Sequence, residues 1–423
     1  MNFASLLGGL RSAVAIAVSP RVFLPFAALL YVILSVHAID RSIRDPKGRA
    51  DFVSGDSMHY VAIAGDFAKG NLSMDYVQRR PHRQPLYPAA LAPVIHFRGQ
   101  DFFWMAAVSL VFSTAGFLLL YAAILHLQRS PVVAAIVGTL YLGDKFLFAE
   151  VTRHFLTEPL HILLMIGIIY VVLLWLRERK AWQLPAAATL IGLDYLVRPN
   201  GLFVAISLVA ALGLREVLHS IRARDFRTPL QQWPVYAASV LLFALVTVPS
   251  WLPRLRDYGS PFYHGYLSNY LWVDSYAEGH QGQRFAKYTW RDYTSTHTLG
   301  DAVQRTAHGV WNVCFAIPWS VNYKLHAMFL LAVVGALLAL ARGPSEYRWL
   351  LLFGAIQLLP LIWTNLPNPT MRVPYAATLP FELFFAALPL TLVVSLAWKF
   401  SPSSARSRSD SLRTAFESNT VLP

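Results

Sequence analysis

A carboxylate, Asp56, heads a polar stretch from Ser54 to Pro93, SGDSMHYVAIAGDFAKGNLSMDYVQRRPHRQPLYPAALAP, set between two long apolar runs. A carboxylate within hydrogen-bond reach of a hydroxyl can accept its proton during a transfer reaction. Asp56 also stands just ahead of a helical pattern over residues 57 to 69, where its oxygens can cap the first free amides. Met58, Val61, Ala62, Gly65 and Ala68 share one face of that pattern and Gly70 ends it, so the helix is expected to lie on a membrane surface. Arg198 and Arg372 stand near the ends of apolar runs. A charge at the centre of a span costs about 2.5–3.5 kcal/mol, less near the interface, so such residues face a partner or a wet cavity, or snorkel to head groups. A planar guanidinium also meets two phosphate oxygens at once. Lys145, Arg153, His154 and Arg254 are further cations positioned for the same work, and Glu158, just before Pro159, meets the positive end of a helix dipole or pairs with a cation.

The elements that must hold these residues are apolar. The 423 residues are 56% hydrophobic and only 14% charged, with a mean hydropathy of +0.44, which places the chain in the membrane class and excludes a soluble fold. The net charge of +13 is scattered between apolar runs rather than gathered with exposed aromatics, so it implies topology and contact with anionic membrane lipids, with no nucleic acid partner. Cys314 is the single cysteine and makes neither an internal disulfide nor a cysteine metal cluster. Arg11 and Arg21 precede the first run without a small-residue cleavage site, so the N-terminus is expected to stay in the mature protein.

Apolar runs fall at 21–39, 102–127, 131–149, 159–176, 183–197, 199–214, 233–252, 325–341, 347–363 and 374–398. Arg198-Pro199-Asn200-Gly201 marks either a kink or a turn between two passes. Arg177, Arg179 and Lys180 before it and Arg215, Arg222, Arg224 and Arg227 after it favour the turn, because basic flanks stay inside. The expected fold is therefore an all-α polytopic membrane protein of about ten transmembrane helices, with both termini cytoplasmic. Two large outer loops, 40–101 and 253–324, carry amphipathic helices; residues 1–398 form one transmembrane domain and 399–423 a basic, disordered cytoplasmic tail. The shorter outer segments are 150–158, 198–200 and 364–373.

Gly55-Asp56 with Tyr60 and Gly70, then Arg80-Pro81 and Gln84-Pro85-Leu86-Tyr87-Pro88, resembles the first outer loop of the GT-C glycosyltransferases, polytopic enzymes such as the protein mannosyltransferases and aminoarabinose transferases. Leu156-Thr157-Glu158-Pro159-Leu160 resembles the acidic motif that opens a span in that superfamily. Gly192-Leu193-Asp194-Tyr195-Leu196-Val197-Arg198-Pro199-Asn200-Gly201 is similar to its Gly-Leu to Arg-Pro turn. The segment from Trp251 to Pro261 is similar to the entry of its second outer loop, and Met371-Arg372-Val373-Pro374-Tyr375 to the start of its last span. The resemblance implies transfer of a sugar from a polyprenyl-phosphate-linked donor to a lipid, glycan or protein acceptor, on the periplasmic or luminal side of an integral membrane protein. A bacterial inner membrane is the expected setting.

On that resemblance Asp56 is the base, while Arg198, Arg372, Lys145, Arg153 and Arg254 hold the donor phosphate. Substrate contacts are expected from His59, Tyr60, Arg83, Tyr87, Glu158, Asn200 and His264. Many members carry Asp-Glu where this chain has Asp56-Ser57, which removes one candidate metal ligand; no cofactor is expected, and divalent-metal dependence stays open. The histidines show no close ligand spacing, although His264 with Glu158 can be imagined across loops, and no glycine-rich loop offers a nucleotide site. With no large soluble C-terminal domain, a monosaccharide donor is the simpler expectation. Two other readings are carried along: a lipid or polysaccharide flippase, which needs charges through the membrane depth, and a non-catalytic assembly factor with the same fold.

Overall fold

Proline, serine and aspartate punctuate the apolar runs, and the helices start where they stand. Asp101 accepts from the amides of Phe103 and Trp104 at 2.9 and 3.3 Å, Ser130 from Val133 at 3.3 Å ahead of Pro131, and Asp144 from Leu147 at 2.7 Å. The computed structural model describes residues 15–52, 55–71, 83–224, 232–280, 288–321, 326–365 and 371–399, and these contain helices and turns with no strand. The N-terminal Arg11, the Arg80-Pro81 pair and the tail from residue 400 lie outside the described residues.

In chain order, α1 is Pro20–Arg44, α2 Pro46–Phe52, α3 Gly55–Ala68, α4 Leu86–Arg98, α5 Phe102–Gln128, α6 Pro131–Leu142 and α7 Lys145–Arg153. Then come α8 Glu158–Glu178, α9 Gln183–Val197, α10 Gly201–Ala223 and α11 Trp233–Tyr258. The segment that follows holds α12 Tyr276–His280, α13 Trp290–Thr296, α14 Leu299–Trp311 and α15 Ile317–Val321, and α16 His326–Ala341, α17 Ser345–Thr364 and α18 Arg372–Lys399 complete the described chain.

Seven of these helices, α1, α5, α8, α10, α11, α17 and α18, are long and apolar enough to cross a membrane, and α6 with α7 makes an eighth span bent by 51°. The protein is an all-helical, polytopic membrane protein. The shorter apolar helices α9 and α16 occupy two further expected positions. Several helices outrun their apolar runs: α11 continues past the expected boundary at 252, through Pro253, to Tyr258, and so carries Arg254 on a rigid helix instead of a loop.

Helix α8 is the axis of the bundle, with 89% of its apolar window buried, whereas α1 and α11 turn Phe26, Leu29, Ile33, Val240, Leu241 and Leu245 outward. Its 21 residues span about 30 Å at 1.5 Å per residue, the thickness of a hydrocarbon core. At its C-terminal end Arg177 meets Glu346 (2.5 Å) and Arg179 meets Glu216 (2.6 Å), and Gln128 donates to Tyr347 at 2.6 Å. There α5, α8 and α10 end on Arg129, Arg179 and Arg224 in the left-handed region, with φ of 51°, 58° and 50°. A non-glycine residue there costs about 1–2 kcal/mol, and a cation against the negative end of each helix dipole offsets part of it.

Inside the bundle, polar side chains bond across helices, as lipid-embedded groups must. His161 Nδ1 and Asp194 Oδ1 lie 2.6 Å apart between α8 and α9, Tyr31 and Ser113 lie 2.9 Å apart between α1 and α5, and Tyr375 donates to Asp144 at the α6–α7 break. At the end of the bundle away from the basic turns, α14 packs backbone to backbone on α17, where a Cβ at Gly309 would meet Ile362 O at 2.0 Å, and shows Leu299, Val303 and Trp311 outward. Helix α3 differs from its expected face. Ser57, Tyr60, Val61, Ala64 and Phe67 are buried against α4 and Met58 is exposed, because Tyr60 and Phe67 carry most of the area the helix can bury.

Candidate functional site

Gly55, at φ +52°, turns the chain into α3 and leaves Asp56 in the first helical turn, inside the helix rather than at its cap position. Arg83 and Gln84 approach α4 in extended chain, Glu158 opens α8 and Arg372 opens α18. Arg198 follows α9 in an extended conformation, φ −146° and ψ 142°, after which the chain turns back sharply. A Cβ at Gly201 would sit 2.3 Å from Tyr195 N, so the reversal between α9 and α10 needs glycine there. This turn, rather than a kink, brings Arg198 to the N-terminal end of α8.

These segments converge on one ion network. Arg83 Nη2 donates to Asp56 Oδ1, and Arg372 Nη2 donates to Asp56 Oδ2 at 2.6 Å. Arg372 Nε and Arg198 Nη1 each lie 2.9 Å from Glu158 Oε1, close ion contacts whose N–H groups are not aimed at the oxygen. Glu158 is 1% exposed and Arg198 8%, while Asp56 and Arg372 are part-exposed. Burial pushes the Asp56 carboxyl up, but Arg83 and Arg372 outweigh it and hold it well below the usual carboxylate range. Glu158 thus serves the α8 dipole and an ion pair at once.

A second layer fixes the first. Arg83 Nη1 donates to Tyr60 OH at 3.3 Å, and its guanidinium lies 5.2 Å from the centre of that ring. Arg83 Nη2 also donates to His59 Nδ1 at 3.2 Å, which requires the Nε2–H tautomer of His59. Tyr87 is buried edge-on beneath Tyr60 and bonds Ser109 at 2.9 Å, so it props the site from below. Arg254 is fully buried and donates to Ser250 O and Oγ (both 2.6 Å), Tyr263 O (3.0 Å) and Arg83 O (3.1 Å), while Ser250 donates to Gln84 at 2.8 Å. The end of α11 and the segment after it thereby grip the short connection that carries Arg83. Ser57 Oγ accepts from Phe155 N at 3.2 Å, tying α3 to the approach to α8.

The structure brings together Asp56, His59, Tyr60, Arg83, Glu158, Arg198 and Arg372. Lys145 and Arg153 are exposed at the two ends of α7, Asn200 is half-buried in the α9–α10 turn, and His264 packs edge-on to Tyr195 with ring centres 6.0 Å apart. Among the described residues, no group of three or more His, Cys, Asp or Glu side chains is arranged to hold a metal ion.

Glu150 was missed. It stands in the last turn of α7, buried, in the field of Glu158, Arg372 and Arg198. Its signal was there to read, an acid directly after the apolar run 131–149 and eight residues ahead of Glu158. Buried atoms of the cluster keep unused capacity: Glu150 Oε2, both Glu158 oxygens, Arg198 Nη1 and Arg83 Nε make no hydrogen bond among the described residues. No family model, curated protein or solved structure matches this chain.

Proposed function

We propose that the protein is an integral membrane glycosyltransferase of the GT-C type, moving a sugar from a polyprenyl-phosphate-linked donor to an acceptor hydroxyl on the periplasmic or luminal side. The observation that carries this reading is the convergence of Asp56, Arg83, Glu158, Arg198 and Arg372, from five separate segments, at the end of the bundle opposite the basic turns. Unused guanidinium donors beside unused carboxylate acceptors suit a ligand that carries both phosphate oxygens and hydroxyls. The finer topology belongs to the same proposal: ten passes, counting α9 and α16, with both termini cytoplasmic in a bacterial inner membrane.

In this reading the acceptor oxygen bonds to the anomeric carbon, the bond from that carbon to the phosphate oxygen breaks, and the lipid phosphate departs with the electron pair. The acceptor proton passes to Asp56. The leaving group is already an anion, so fixed cations serve it better than an acid would; Arg198 and Arg372 supply them. Asp56 is a weak base while two guanidiniums hold it. A donor phosphate that competes for Arg372 and Arg83 loosens that hold and raises its basicity when substrate is in place.

A flippase needs charges free along a path through the membrane. What weighs against it is that Asp144 and Asp194 are bonded locally, to Tyr375 and His161. The test is incubation of purified protein with labelled polyprenyl-phosphate sugars and candidate acceptors, for wild type and Asp56→Asn. Acceptor labelling that depends on Asp56 is expected. Labelling without that dependence removes the mechanism, and no labelling from any donor leaves the flippase or assembly-factor readings.

A further inference from the structure

Glu150 has no part in the chemistry above, yet it is a buried acid beside the ion network. It is 6% exposed, sits where α7 ends beside the start of α8, and its Oε2 has no hydrogen bond among the described residues. Glu158, 1% exposed, is in the same condition at both oxygens, since its two arginine contacts are close but misdirected. Arg198 Nη1, in a side chain 8% exposed, lies 2.9 Å from Glu158 Oε1 and is also without a hydrogen bond.

Charge and hydrogen bonding are therefore separately accounted for. Asp56 and Glu158 are paired with Arg83, Arg198 and Arg372, so the cluster needs no further cation to balance it. Its directional bonds are what remain unmade. A buried carboxyl oxygen left unbonded is costly. The complement is a set of donors that brings no charge, and adjacent hydroxyls of a sugar are such donors.

We propose that Glu150 and Glu158 form the hydroxyl-reading end of the donor site, accepting from neighbouring hydroxyls of a neutral sugar while the guanidiniums take the attached phosphate. This deepens the glycosyltransferase reading and rests on it. It makes Glu150 a specificity-determining residue that discriminates a polyol from a bare lipid phosphate. A site that hydrogen-bonds a substrate hydroxyl rejects the analogue lacking it, because its own buried group is then stranded.

The experiment uses the full chain in lipid nanodiscs, with binding of three probes measured: bare polyprenyl phosphate, polyprenyl-phosphate glucose, and an amino-sugar counterpart. The wild type is expected to bind the glucosyl lipid roughly tenfold more tightly than the bare lipid. Glu150→Gln should bring that ratio to within about twofold while keeping wild-type affinity for the bare lipid, which also certifies the fold, and Glu150→Asp should recover part of the preference. Deoxy analogues of the glucosyl lipid, tested on the wild type, give the same answer without any variant: at least one should lose roughly tenfold. An unchanged ratio in Glu150→Gln with all deoxy analogues bound like the parent overturns the proposal. So does a preference seen only for the amino sugar, or one that needs added manganese and vanishes with chelator. If the wild type binds bare and glucosyl lipid equally, the donor-phosphate reading stands and the role of Glu150 falls; if it binds neither, the donor reading itself fails.

Discussion

Arg372 Nη2 donates to Asp56 Oδ2 at 2.6 Å, although the two residues are 316 positions apart in the chain. The same guanidinium lies 2.9 Å from Glu158 through its Nε, so one side chain joins the carboxylate of α3 to that of α8. That bridge makes a single site out of two loops.

Replacing Asp56 with asparagine keeps the shape and removes the proton acceptor. Transfer to an acceptor hydroxyl is expected to fall by about 10²–10⁴-fold, the usual worth of a positioned base. Membrane insertion and the elution profile should match the wild type. A labelled-acceptor assay beside a size-exclusion trace checks both.

The network should be insensitive to pH across the neutral range. Burial raises the Asp56 carboxyl but Arg83 and Arg372 lower it further, so its folded value lies below the ordinary one of about 3.9. A depressed carboxyl stabilises fully above the unfolded value and loses its contribution as pH falls through the folded one. The difference in melting temperature between wild type and Asp56→Asn is therefore expected to stay constant from about pH 5 to 8 and to shrink only below about pH 4.

Ser57 stands next to Asp56, and its hydroxyl accepts from buried Phe155 N. Ser57→Ala strands that amide and is expected to cost about 1–3 kcal/mol. Ser57→Glu forces a longer, charged side chain into the same buried place. It should lower the melting temperature more than Ser57→Ala and confer no dependence of activity on added divalent metal, as thermal melts and a chelator titration would register.

Much of the architecture was legible because membrane helices announce themselves by long apolar runs, and Arg129, Arg179 and Arg224 mark one end of the bundle as basic. Arg198 and Arg372 were legible as charges where charge is expensive, and Asp56 and Glu158 as carboxylates at helix starts. Arg254 was visible but its role was not, since only the continuation of α11 past Pro253 shows that it reaches the Arg83 carbonyl. Tyr87 was likewise seen as a substrate contact, whereas its hydroxyl is turned to Ser109 beneath Tyr60. Glu150 escaped because it falls just past the run 131–149, at the first position of a short polar segment where an acid draws no notice. The face of α3 was displaced because small residues were weighted like Tyr60 and Phe67.

Arg254 should matter for stability as much as for turnover. Arg254→Met keeps bulk but leaves the Tyr263 and Arg83 carbonyls without their donor, and hydrogen bonds from charged groups contribute about 1.5–3 kcal/mol each. A melting temperature lowered by several degrees is expected, with limited proteolysis cutting first between residues 259 and 275.

His297 gives the second outer segment a pH dependence of its own. Its Nε2 faces Asp274 at 2.5 Å and its Nδ1 faces the Tyr293 carbonyl at 3.0 Å, two acceptors that together call for the imidazolium. Burial is the largest single effect and lowers its pKa, but Asp274 and the Tyr293 carbonyl together outweigh it and raise it above the ordinary value of about 6.5. The stabilisation is complete below that value and is lost as pH rises through the folded one. Proteolysis of this segment should therefore accelerate between about pH 6.5 and 8 in the wild type, and His297→Gln should abolish the difference.

Arg372 opens the last described helix, so it reaches the network after every other member. Asp56 with Arg83, and Glu158 with Arg198, are two couples complete within the first 198 residues. A chain still emerging from the ribosome can thus shelter its charges in pairs, without help from the segments yet to be made. The arrival of one guanidinium then joins the couples, so the complete network exists only once the last described helix is in place.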